Sequence, residues 1–170
     1  HRFQVREMPA ALEELDPLQR GSLIHDIQFE LHSQLRAHGW LPIGEADREE
    51  VCKLLDETIE RVAARYYDEL CPAIDRVWQD ALRFIRADMR EWLRLATEPS
   101  PWVPAYFELA FGIETDGARD AHSCDEALAL DGGIKLRGSI DLVERHAESG
   151  ALRASDYKTG KVWTKDGVVV

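Results

Sequence analysis

Basic residues are in short supply in this chain. Lysine and arginine number 21 against 32 aspartates and glutamates, a formal net charge of −11. A module that grips nucleic acid by charge alone carries a basic face. Such a face is therefore excluded unless basic residues gather locally, or neighbouring parts of a larger protein do the gripping. Cysteine is scarce too: Cys52, Cys71 and Cys124 are scattered, odd in number and form no C-x-x-C pair. That excludes a disulfide framework and fits a reducing cytoplasm, which is the expected location. No apolar run approaches the roughly 18 residues of a membrane span, and no signal peptide opens the chain. Internal repeats and low-complexity stretches are also missing. The opening His1-Arg2-Phe3-Gln4 is no natural initiator, so the chain reads as a fragment or one domain of a larger protein.

What is present is an ordinary globular composition. Hydrophobic residues make up 45% of 170 residues and charged ones 31%, enough for one domain with a sizeable core. The segment Glu98-Pro99-Ser100-Pro101 cannot continue a helix and divides the domain into a mainly helical part, 1–98, and a mainly strand part, 99–170. A first helix is expected from Leu18 to Ala37, ending near Gly39, with Ile24, Ile27, Leu31 and Leu35 as its apolar stripe. A second runs from Asp47 to Leu70 with Val51, Leu55, Val62 and Tyr66. Cys71-Pro72 breaks it and places Pro72 in the first turn of a third, whose stripe is Ile74, Trp78, Ala81, Ile85 and Trp92. Core packing accounts for all three stripes. Strands follow at Val103–Ile113, Leu128–Leu130, Ile134–Val143 and Ala151–Tyr157, with Asp131-Gly132-Gly133 and His146–Gly150 as turns. Helices first and an antiparallel meander after predict an α+β or α/β sandwich.

The chemistry gathers in one predicted hairpin, Gly138-Ser139-Ile140-Asp141 and Ser155-Asp156-Tyr157-Lys158-Thr159-Gly160-Lys161. If His146 pairs with Ala151, the register sets Asp141 opposite Asp156, with Cβ atoms about 5 Å apart. A one-residue slip would put them on opposite faces. Opposed carboxylates repel, and three things can offset that: a proton on one of them, Lys158 on the same face, or a divalent ion. Oxygen ligands suit Mg²⁺. Leu152 and Ala154, on the face of Asp156, suggest a sheltered position. Spacing alone leaves an ordinary salt-bridged hairpin open.

These residues resemble the active-site core of the PD-(D/E)xK nucleases, most closely the RecB-type branch, which writes it G-x-I-D and D-Y-K-T-G. Two upstream elements are similar to that branch as well. Arg20-Gly21-Ser22-Leu23-Ile24-His25 resembles its Gly-x-x-x-His helix start, and Trp102-x-Pro104-x-x-x-Glu108 its first strand. The four stand in the expected order over residues 20–161. The resemblance implies a restriction-endonuclease-like core, a mixed central sheet flanked by helices, with an N-terminal helical part.

It also implies roles. Asp141 and Asp156 would ligate Mg²⁺ or Mn²⁺ with the Tyr157 backbone carbonyl, and His25 would reach the same metal from its helix. A capped or surface histidine is the other reading of His25, and His32 gets no such support. Lys158 would activate the attacking water and steady the developing charge. Glu108 would place that water or Lys158, a buried structural glutamate being its alternative, and Lys161 would contact a phosphate of the DNA. The branch usually adds a Gln-x-x-x-Tyr helix after the lysine strand, which this chain does not include. Cys52, Cys71 and Cys124 do not match the positions of the iron–sulfur cluster held by some relatives, so no cluster is expected here. The implied function is a metal-dependent DNA exonuclease module of an AddB- or RecB-like helicase–nuclease in break repair, partnered by helicase domains or a second subunit. Two further readings are a catalytically silent module holding single-stranded DNA or a partner, and a restriction-type endonuclease.

Overall fold

The computed structural model describes residues 15–114 and 119–157, and the backbone of residues 162–164 and 167–169. Helix α1 (Pro17–His38) begins on a reciprocal cap. Gln19 N donates to the Asp16 carboxylate at 2.8 Å, and Asp16 N donates to the Gln19 side chain at 3.1 Å. Pro17 occupies the first turn, where its missing N–H costs nothing. At the far end Gly39 takes φ 70°, and the Gly39 and Trp40 amides close the carbonyls of Arg36 and Leu35. The expected stripe is buried, joined by Leu23.

After a single 3-10 turn (Glu45–Asp47), helix α2 (Arg48–Leu70) buries Val51, Leu55, Ile59 and Val62. Tyr66 is only half-buried, and its hydroxyl donates to Asp26 of α1 at 3.1 Å. Helix α3 (Asp75–Ala96) starts later than the sequence suggests. Pro72 lies in the connection instead of the first turn. Cys71 ends α2 in the left-handed region, φ 44°, and turns the chain aside before the proline. Ile74, at the cap, is therefore exposed, while Ala81 and Trp92 are half-buried. The buried set on α3 is Trp78, Leu82, Ile85, Met89 and Leu93, spaced by three or four. Each such side chain contributes roughly 1.5–3 kcal/mol by leaving water.

Arginines tie the helices together at their surface. Arg61 and Arg65 of α2 pair with Glu30 of α1, and Arg65 also with Asp26. Arg86 and Arg90 of α3 pair with Asp56 of α2, and Arg86 also with Glu60. Much of the helices' positive charge is thus neutralised within the fold.

Strand β1 (Trp102–Phe111) opens the second half. Strands β2 (Leu128–Ala129) and β3 (Lys135–Leu136) form a small hairpin around Asp131-Gly132-Gly133, and β4 (Gly138–His146) and β5 (Leu152–Ser155) form a larger one. The single strand expected from Ile134 to Val143 is split because its halves have different partners: Leu136 pairs with Leu128, Gly138 with Phe111. The main sheet runs β1-β4-β5, and β6 (Val162–Thr164) and β7 (Gly167–Val169) make a separate ribbon. The ladders are antiparallel throughout, and Phe111–Cys124 is a parallel bridge beside β1. Parallel pairing in the described residues is therefore confined to that bridge.

Helix and sheet meet at His32. Its ring stacks on Phe107 of β1 at 4.1 Å and meets Trp92 of α3 edge-on at 5.2 Å. Phe107, Ala110, Leu142 and Val143 are the buried apolar residues of the sheet. This is the α+β arrangement expected of a restriction-endonuclease-like core.

Candidate metal centre

Three elements converge on one point. Helix α1 supplies His25, β1 supplies Glu108 and β4 supplies Asp141. The pairs Phe107–Leu142 and Leu109–Ile140 flank the two carboxylates, which sets them across from each other on neighbouring strands. His25 Nδ1 lies 3.1 Å from Glu108 Oε1 and 3.7 Å from Asp141 Oδ1. One ligand atom from each of the three falls within 4.8 Å of the others. All three residues are half-buried.

Each carboxylate turns one oxygen to this centre while the protein holds the other. Asp141 Oδ2 accepts from Tyr157 N at 2.6 Å, leaving Oδ1 towards His25. Glu108 Oε2 accepts from Ser139 Oγ at 3.4 Å, leaving Oε1. Glu108 has φ 48°, a left-handed backbone that a glutamate adopts at a cost of about 1–3 kcal/mol.

The electrostatics record an excess of negative charge. Asp141 titrates above the ordinary carboxylate value, first because it is buried and further because Glu108 and Asp156 repel its charge. The Tyr157 N–H and His25 oppose that rise without cancelling it. His25 titrates above the ordinary imidazole value, chiefly through its hydrogen bond with Glu108, although burial works against it. The fields of Asp141 and Glu108 and a bond to the Tyr157 backbone add to the effect.

The donors suit a divalent cation. Neighbouring ligands around an ion bonded at roughly 2.1 Å lie roughly 3 Å apart, and the 3.1 Å separation of His25 and Glu108 already matches. Two carboxylates, an imidazole and the nearby Tyr157 backbone form an oxygen-rich set with one nitrogen, of the kind that holds a divalent cation.

The hairpin register is the one that sets Asp141 and Asp156 opposite each other. Leu142 pairs with Ser155 and Arg145 with Leu152, and His146 N donates to Ala151 O at 2.8 Å. The ladder stops at Ser155, however, and Asp156 is exposed just beyond it. The shelter expected from Leu152 and Ala154 is absent, since both are exposed on β5, an edge of this sheet. The charge of Asp156 reaches Asp141, and Glu108 stands with His25 and Asp141 in the cluster. Lys158 and Lys161 lie outside the described residues.

Sequence reasoning missed the residues that hold Glu108. Ser139 was visible within Gly138-Ser139, but only the register brings it to Glu108. Asp120 has a side chain 1% exposed and accepts from Phe107 N, His122 and Arg36. Burial pushes its pKa up, and these donors more than reverse that, leaving it below the usual carboxylate value. A lone aspartate in a connection carries no periodicity that would announce it.

No curated protein and no solved structure matches the chain. A family model described as the PD-(D/E)XK nuclease superfamily matches residues 1–168. With that match over nearly its whole length, the chain belongs to the PD-(D/E)XK nuclease superfamily.

Proposed function

We propose that this chain is a divalent-metal-dependent deoxyribonuclease module, an exonuclease of the RecB-like branch that works joined to helicase domains or a partner subunit. The observation that carries the reading is His25 of α1 meeting Glu108 and Asp141, 83 residues separating His25 from Glu108. Its place in the Gly21-x-x-x-His25 pattern supports the branch, and the helicase association rests on that resemblance.

His25, Glu108 and Asp141 would hold the ion, with the Tyr157 carbonyl and Asp156 completing the set from the hairpin. When bound there, a divalent ion would make a water more acidic and offset the repulsion between the phosphate and these carboxylates. Tyr157 N keeps Asp141 from swinging away, and Ser139 does the same for Glu108. Lys158 is assigned to the charge that develops on the phosphate, and Lys161 to a neighbouring phosphate of the substrate.

The test is Mn²⁺ titration with a DNA cleavage assay on the chain and on its Asp141→Asn and His25→Ala variants. Wild type should bind the ion and cut DNA from an end. Asp141→Asn should lose at least 100-fold in rate, about 2.7 kcal/mol of barrier, and His25→Ala should bind Mn²⁺ more weakly. Ion binding without cleavage would favour the silent, DNA-holding module, and unchanged binding in both variants would refute the site.

A further inference from the structure

Glu108 is held in an unfavourable backbone state, and the structure shows what holds it. Asp120 brackets the residue on the edge of β1 away from β4. Its Oδ2 accepts from Phe107 N at 3.1 Å, and its own N–H donates to Glu108 O at 3.1 Å. The amide of Phe107 and the carbonyl of Glu108, one on each side of the Phe107–Glu108 peptide, are therefore fixed by one residue. Asp120 is itself held on all sides. His122 donates to Oδ1 from its backbone N at 2.9 Å and from its ring at 2.8 Å. Arg36 of α1 donates to Oδ2 at 3.1 Å and to Ala105 O of β1 at 2.7 Å. Farther along, Ser123 Oγ accepts from Ala110 N at 3.0 Å.

We infer that Asp120 is a positioning residue for the metal centre: with Arg36 and His122 it locks Glu108 in the left-handed backbone that aims its carboxylate at His25 and Asp141. The inference rests on the metal reading above. A non-glycine residue stays in this region only when its surroundings over-determine it. Released from the clamp, residue 108 relaxes towards ordinary extended backbone and carries its carboxylate off the shared point. The same helix delivers His25 and Arg36, so α1 sets one ligand directly and a second through Asp120.

The experiment is a double-mutant cycle read by calorimetric Mn²⁺ titration of the full chain, with the folded fraction checked by thermal unfolding. Groups that orient a metal ligand are worth tenfold or more in affinity. Asp120→Asn should therefore weaken Mn²⁺ binding roughly tenfold, and Glu108→Gln should weaken it as well. In the Glu108→Gln background, Asp120→Asn should add no further loss, because it acts through that carboxylate. A merely structural aspartate would give additive losses or lower the melting temperature at unchanged affinity, and either result overturns the inference. Should Asp120→Asn not fold, His122→Ala removes one donor at an exposed side chain and should produce a smaller loss in the same direction. Unchanged affinity there also overturns it. A wild-type chain that binds no Mn²⁺ sinks the metal reading and this inference together. Binding that responds to Glu108→Gln but not to Asp120→Asn sinks the inference alone.

Discussion

His32 shows how one buried side chain can set a pH limit for the whole chain. Burial lowers its pKa to about 4, because a charged ring packed between Phe107 and Trp92 would go without hydration. In the unfolded chain the ring takes its proton near the ordinary value, about 6.5. Between those two values the unfolded state binds more protons, so this residue's effect on stability is absent above about pH 6.5 and grows as pH falls towards 4. The loss reaches about 3 kcal/mol below that window. Urea unfolding of wild type and His32→Leu at pH 7 and pH 4.5 checks the sign. The variant should lose less stability on acidification, and parallel losses would show that His32 is not the group responsible. The histidine seven residues earlier, His25, is shifted the opposite way by the carboxylates it faces. Both histidines were visible in the sequence. Only His25 stood in a recognisable pattern, and the stacking of His32 on Phe107 could not be read from spacing.

Among the elements, α1 carries the most function. It brings His25 to the cluster, His32 to the sheet and Arg36 to Asp120. Its start is fixed by the Asp16–Gln19 cap, a signature that an acidic residue, a proline and a glutamine in order could have revealed. Asp16→Ala should cost about 1 kcal/mol of stability, measured by urea unfolding at neutral pH. A change of less than about 0.3 kcal/mol would show that packing, not capping, holds this end. The β4–β5 hairpin was legible because turn length and the alternation of side chains are local properties, and the structure adopts the register that follows when His146 pairs with Ala151. The third helix was less so: its start depends on how Cys71 leaves α2, which no stripe of apolar residues records.

For the molecule as a whole, metal and fold are linked if the cluster binds an ion. A ligand that binds only the folded state adds about 2.7 kcal/mol at 100 times its Kd. For a chain of this size that raises Tm by roughly 5–10 °C. Thermal scans with excess Mn²⁺ should show the rise, a chelator should reverse it, and Asp141→Asn should remove most of it. An equal rise in the variant would place the ion elsewhere. The net charge of −11 works in the same direction, since a bound cation relieves part of the repulsion. Sequence by itself determined the helical and strand halves, the buried stripe of α1 and most of that of α2, and the existence of the β4–β5 hairpin, because periodicity and turn chemistry act over a few residues. Tertiary structure alone decided that Glu108 joins His25 and Asp141 while Asp156 stays exposed, and that Asp120 grips β1. Those outcomes depend on where a helix lands against a sheet and where a strand pairing stops, and contacts between distant residues leave no local pattern to read.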